Sequence, residues 1–241
     1  MRAPLWGVGL GTLVMVSVVA PALIGLSVPR LSASLLALPG DPTRFSITHS
    51  KQVSDNGLTR LIESREQALS WAEDPRYYRD IGLAALRLAG RKGRQTDEGQ
   101  VLLEKAERAL LGGLAIAPAN PYAWMNLARA RYYLGRDLDS TMQAYQNSIL
   151  TGPYSTNLTA SRIRFGITLW PKLGADQREL VIRQIRLLAG SPDQIDLEDL
   201  ARLTDSKRAY TIVVLALIDD QESLAAFKQA RRRLNVTPQI S

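Results

Sequence analysis

The stretch Asn120 to Pro153 constrains the chain more than any other. It reads NPYAWMNLARARYYLGRDLDSTMQAYQNSILTGP. Trp124, Leu127 and Ala128 recur at spacings of three and four, which return to one side of a helix. Leu134-Gly135 interrupts that pattern. Leu138, Thr141, Tyr145, Ser148 and Ile149 then form a second apolar stripe, and Pro153 ends it because proline cannot continue a helix. Two amphipathic helices joined by a glycine turn cannot bury their apolar faces alone. They need neighbours of the same kind.

Such neighbours are predicted upstream. Leu58, Leu61, Ile62, Ala68, Leu69 and Ala72 line a helix that ends at Asp74-Pro75. Tyr78, Ile81, Gly82, Ala85 and Leu88 line a second, from about Arg76 to Ala89. Gly90 to Gln95 reads as a basic turn, and a third helix carries Val101, Leu102, Leu103, Ala106, Ala109, Leu110 and Leu114 before stopping at Pro118. Pro118 and Pro153 lie 35 positions apart. Downstream the pattern degrades. Helices are expected over Asn157 to Trp170, Gln177 to Leu188, Leu197 to Leu203 and Gln221 to Leu234. Tyr210 to Ile218 is too short to cross a bilayer and reads as a core helix, with a strand as the alternative.

These residues resemble the tetratricopeptide repeat. Ala106, Ala109, Leu110, Gly113, Leu114 and Pro118 match the second helix of such a repeat. Trp124, Leu127, Ala128, Gly135, Tyr145, Ser148 and Pro153 match a whole one, with one extra residue near the turn. The proline spacing is close to the family period of about 34 residues. The likeness covers Tyr78 to Pro153 and is shared in part by related helical-hairpin repeats. It implies that Ala106, Gly113 and Ala128 sit where helices nearly touch. It also implies a concave groove, lined by the first helix of each hairpin, where partner peptides lie. Carried onto this sequence, the groove residues are Tyr122, Met125, Arg129, Tyr132 and Tyr133, with Arg76, Arg79, Arg87, Leu83 and Leu86 in the preceding hairpin. Arginines with tyrosines suit an acidic or carboxylate-bearing segment, because guanidinium forms bidentate charge-assisted hydrogen bonds. Ordinary solvated helix faces, with the tyrosines packed between helices, are the competing reading.

The amino-terminal part is of another kind. Leu5 to Val28 carries no charged side chain. At about 1.5 Å per residue it reaches about 36 Å as a helix, enough for a hydrocarbon core of ~30 Å. A signal-anchor transmembrane helix is expected, since a cleaved signal normally has a shorter apolar run. Basic residues flank both ends, so orientation by the positive-inside rule is ambiguous. By analogy with short-tailed anchors, the amino end is placed in the cytoplasm. Leu31 to Gly57, with Pro39-Gly40, Asp41-Pro42 and Asp55-Asn56-Gly57, reads as a tether.

The expected fold is therefore all-α, a transmembrane helix followed by a helical-hairpin solenoid. Residues 1–30 are the anchor, 31–57 the linker, 58–153 the repeats, and 154–241 degenerate helical repeats with a carboxyl-terminal cap. With no Cys in 241 residues, disulfides, thiolate metal sites and Cys nucleophiles are excluded. The only histidine, His49, has no partner for a triad or a metal site. No GxSxG, phosphate-cradling GxxxxGK[ST], HExxH or GxGxxG occurs, so no catalytic residue, metal or cofactor is expected. The net charge of +7 favours acidic partners, but no nucleic-acid reading module is recognisable. The expected function is a membrane-tethered scaffold for a protein partner in a bacterial envelope assembly, such as secretion or surface-polysaccharide export. Its place is the inner membrane, with the soluble part in the periplasm. The alternative is an accessory subunit of a membrane enzyme, acting mainly through its transmembrane helix.

Overall fold

The computed structural model describes residues 17, 21, 23, 25, 27–49, 51–191 and 193–236. Every regular element among them is a helix. The chain divides into two compact units at Pro118.

In the first unit, residues 27–37 are helical (α1). A 3-10 turn, Leu38–Gly40, follows, then α2 (Asp41–Thr48), α3 (Asp55–Leu69), α4 (Pro75–Lys92) and α5 (Asp97–Ile116). The chain packs α3 on α4 and α4 on α5. Leu58, Leu61, Ile81, Ala84, Ala85, Leu103, Ala106 and Leu110 form the interior. The α4–α5 hairpin is close because its contact residues are small. A Cβ on Gly82 would stand 2.6 Å from Cγ of Leu110, and one on Gly113 would stand 2.9 Å from Cβ of Tyr78.

The stretch expected as a tether is folded. Pro39 and Pro42 occupy the first turns of the 3-10 turn and α2, where a missing N–H costs no intrahelical bond. Asn56-Gly57 lies in the first turn of α3, capped by the Ser54 hydroxyl, which accepts from Gly57 N at 3.1 Å. One side chain clamps this segment down. Arg65 is buried; it donates from Nε to Asp80 at 3.2 Å, from a terminal nitrogen to Asp41 at 2.6 Å, and to the carbonyl of Ala37. The basic turn is also shorter than its sequence suggests. Gly90, Arg91 and Lys92 remain in α4, and Gly93, with φ of 93°, ends it. Arg91 pairs with Asp55 at 2.8 Å and Lys92 with Glu98 at 3.2 Å.

The second unit holds α6 (Pro121–Tyr133), α7 (Leu138–Thr151), α8 (Thr156–Leu169), the 3-10 turn Trp170–Lys172, α9 (Ala175–Ala189), α10 (Gln194–Arg202), α11 (Lys207–Leu217) and α12 (Gln221–Arg233). Here α6 pairs with α7 and α8 with α9. Asn120 caps α6, accepting from the N–H groups of Tyr122 and Ala123 at 3.1 Å, and Gly135 supplies the turn with φ of 69°. Beyond α9 the succession of hairpins ends: α10 packs on α12, and α11 packs on α9. The segment read as core helix or strand is helical, burying Ile212, Val213, Ala216 and Leu217.

The span expected over residues 5–28 lies for the most part outside the described residues. Among the described residues, no helix is long and apolar enough to cross a membrane.

Candidate functional site

The expected groove residues meet different fates. On α4, Arg76 stays beside its own helix start, where Nε lies 3.0 Å from both carboxylate oxygens of the capping Asp74. Arg79 reaches Asp80 at 3.4 Å. Arg87 faces outward; partial burial lowers its pKa from the usual arginine value, and neighbouring Arg91 adds to the shift. On α6, Tyr122 is exposed, while Arg129 and Tyr133 are half-buried. Met125 is 1% exposed, a core residue and not a contact. The buried arc of α6 runs from Ala123 through Met125–Ala128 to Ala130, nearly around the helix, so apolar spacing alone misplaces it. Tyr132 packs edge-on against Phe165 of α8, with ring centroids 5.7 Å apart, and Lys172 lies over its ring at 5.8 Å. A partner would have to displace Lys172 to use that face.

A better-formed concavity lies within the second unit, a cleft of about 950 Å³ between α8, the end of α10 and the start of α11. From α8 and the turn after it come Arg164, Ile167, Thr168, Trp170 and Pro171. Pro171 in the 3-10 turn halts α8 and leaves Trp170 half-buried at the rim. From the other wall come Arg202, Asp205, Lys207, Arg208, Ile212 and Leu215. Ser206 caps α11, its hydroxyl accepting from Ala209 N at 3.2 Å, and this places Lys207 and Arg208 in the first turn.

The charges are uneven. Arg202 is held by Glu198 and Asp199, each at 3.0 Å. Arg164, Lys207 and Arg208 are exposed and make no ion pair among the described residues. Two cations therefore sit at a helix amino terminus, where the macrodipole is already positive and negative charge is favoured. Leu215, 54% exposed, and the half-buried Trp170 add apolar surface to the same cleft. Cations beside an indole and a leucine suit an anion joined to an apolar group.

None of these cleft residues was singled out by periodicity. Ser206-Lys207-Arg208 carried a readable signal, a capping hydroxyl followed by two cations where acidic residues are the rule. Trp170-Pro171 marked a helix end, but not its proximity to α11. In the basic run Arg231-Arg232-Arg233 that ends α12, Arg231 lies 4.4 Å from the Tyr210 ring centroid and donates to the carbonyl of Val236 at 2.8 Å. Among the described residues no group of His, Asp and Glu is placed to hold a metal ion. Comparisons with protein-family models, with curated proteins and with solved structures found no match.

Proposed function

We propose that this protein is a membrane-tethered interaction scaffold, working in a bacterial envelope assembly such as secretion or surface-polysaccharide export. Its second unit would hold an acidic segment of a protein partner. The observation that carries this reading is the cleft in which Arg164, Lys207 and Arg208 stand beside Trp170 and Leu215. An extended segment bearing carboxylates and an apolar side chain satisfies both halves of that surface. The helical hairpins α4–α5, α6–α7 and α8–α9 and the likeness to tetratricopeptide repeats support a binding role for the whole chain. The uncharged stretch Leu5–Val28 supports a membrane anchor, and analogy with short-tailed anchors in the inner membrane would put both units in the periplasm.

The test uses the full chain in detergent and a panel of fluorescent peptides that differ in acidic content and in one aromatic residue. Peptides carrying both features should bind, with affinity falling as salt rises. The double substitution Arg164→Glu and Arg208→Glu should abolish that binding. Equal binding by the charge-reversed chain would overturn the assignment to this cleft.

A further inference from the structure

The helix α1 is packed inside out. Its small face, Ala33 and Ala37, is 2% and 4% exposed and rests against Ala68, with Leu36, Ala72 and Tyr77 beside it. Its large face points away: Leu31 and Leu35 are 61% and 56% exposed, Val28 precedes them on the same side, and Leu38, which opens the 3-10 turn, is 56% exposed. Positions 28, 31, 35 and 38 step by three, four and three, so they form one stripe. Phe45 on α2 is 56% exposed as well. The inner face is small for a structural reason. A Cβ at Gly40 would stand 2.4 Å from Oγ of Ser64, so the backbone at the end of this segment lies directly on α3. The outward leucines have no such explanation. A contiguous exposed apolar stripe marks a surface that is covered by something else.

We infer that this stripe seats on an anionic phospholipid surface and holds the first unit against the bilayer. The inference rests on the membrane-anchor reading above. Between Leu5 and Gly40 the only charged side chain is Arg30. That run exceeds the ~20 residues a span requires, so its carboxyl-terminal part falls at headgroup depth. The stripe is that part. Arg30, within the same run, is exposed, and Lys51 is exposed with its ammonium 5.7 Å from the centroid of the exposed Phe45 ring. Arg44 pairs with Asp80, and the nearby acid Asp41 is tied to Arg65, so the unpaired charge bordering the stripe is positive. Leucines between cations match the boundary between acyl chains and anionic headgroups. A coiled coil with a second copy fits less well. It needs apolar heptads sustained over about three repeats or more, and Pro21 and Pro29 interrupt the sequence that would supply them.

The chain lacks cysteine, so single-cysteine variants report one position each. Leu31→Cys, Leu35→Cys and Leu38→Cys, with Glu104→Cys on α5 as the control, are labelled with an environment-sensitive fluorophore. The full-length chain is then reconstituted into vesicles of phosphatidylcholine with phosphatidylglycerol. Labels at 31, 35 and 38 should be several-fold less accessible to aqueous iodide than the label at 104, and should be quenched by spin-labelled lipid. Labels that stay open to iodide on a chain that floats with the vesicles would overturn this inference and leave the anchor standing. Protection with disulfide cross-linking between copies of Leu35→Cys, and no lipid quenching, would assign the stripe to a second copy and overturn it equally. A chain that fails to float would overturn the anchor reading, and this inference with it.

Discussion

Arg162 donates from Nε to the hydroxyl of Ser148 at 3.1 Å and from a terminal nitrogen to the carbonyl of the same residue. Its other terminal nitrogen reaches the Gly152 carbonyl at 3.0 Å and Oε1 of Gln184 at 3.4 Å. No carboxylate takes part among these contacts. Two of the acceptors, the carbonyls of Ser148 and Gly152, lie at the end of α7, where the helix dipole is negative and intrahelical donors run out. Burial pulls the guanidinium below its usual pKa, while Tyr145 and Tyr122 push the other way. A single arginine from α8 thus closes the end of α7 and reaches α9. Arg162→Ala takes the donor from the buried Ser148 carbonyl and Gln184 Oε1 and should cost on the order of 3 kcal/mol, whereas Ser148→Ala removes one hydroxyl and should cost about 1 kcal/mol. Arg162→Lys keeps the charge without the planar fork and should recover less than half of the loss. Urea denaturation of the three variants checks the order.

Arg65 does the equivalent work in the first unit with true counter-charges, Asp80 and Asp41, and stacks over the ring of Tyr77 at 5.4 Å. It joins the α1–α2 segment to α3 and α4. Arg65→Ala leaves Asp80 buried with Arg44 and Arg79 as its remaining partners, at a cost of about 3–5 kcal/mol. The loss should be local first. Hydrogen exchange should accelerate across residues 27–48 while α5 keeps its protection. Uniform acceleration through α5 would show that the segment is not a separable layer.

Close approach makes a contrasting pair of glycine predictions. A Cβ on Gly166 would stand 2.5 Å and 2.8 Å from the two Cγ atoms of Val181, a stiff β-branched neighbour on α9. Gly166→Ala should cost about 1–3 kcal/mol through overpacking. Gly135 has nothing within 4 Å of such a Cβ but holds φ of 69°. Gly135→Ala should cost about 1–2 kcal/mol through backbone strain alone, and Gly135→Asn less. Thermal melts of the three proteins separate the two mechanisms.

Helix ends were legible where a proline followed, as at Asp74-Pro75, Pro118 and Pro153, because proline acts within one turn; that reading misses the capping of the next helix by Asp74. The same chemistry misled between Leu31 and Gly57, where Pro39 and Pro42 read as breaks yet sit in first turns. The decisive force there is Arg65, many positions away, and no local pattern exposes a tertiary hydrogen bond. Met125 failed for a related reason: helical spacing assigns a face, but α6 is buried on nearly all sides. The cleft required α8 and α11 to meet. That proximity is set by packing in the irregular end of the chain, beyond the reach of a repeat pattern.

Three helix-capping aspartates tie stability to pH. For Asp74, burial raises the pKa, but hydrogen bonds from the Arg76 side chain and backbone outweigh it and hold the carboxyl below its ordinary value. Asp137 and Asp220 are lowered by hydrogen bonds from Ser140 and Ser223. In each case the folded value lies below the unfolded one, near 3.9. Their contribution is therefore complete above about pH 5 and is lost as pH falls toward the folded values. The melting temperature should drop between about pH 5 and pH 3. The triple substitution of these aspartates to Asn, which preserves cap acceptors without the titration, should flatten that drop.

The start of α11 opposes function to stability. Lys207 and Arg208 place two positive charges where the helix already presents the positive end of its dipole, with no acidic residue in that turn. Each such contact is worth about 0.3–1 kcal/mol at low ionic strength. Lys207→Glu with Arg208→Glu should therefore raise the melting temperature in low salt, and the gain should shrink as salt screens it. The same pair should lose the acidic peptides assigned to the cleft. A protein that becomes both more stable and unable to bind would identify these cations as kept for their ligand. If stability fell instead, Lys207 and Arg208 would be structural, and the cleft would lose its claim to an anion.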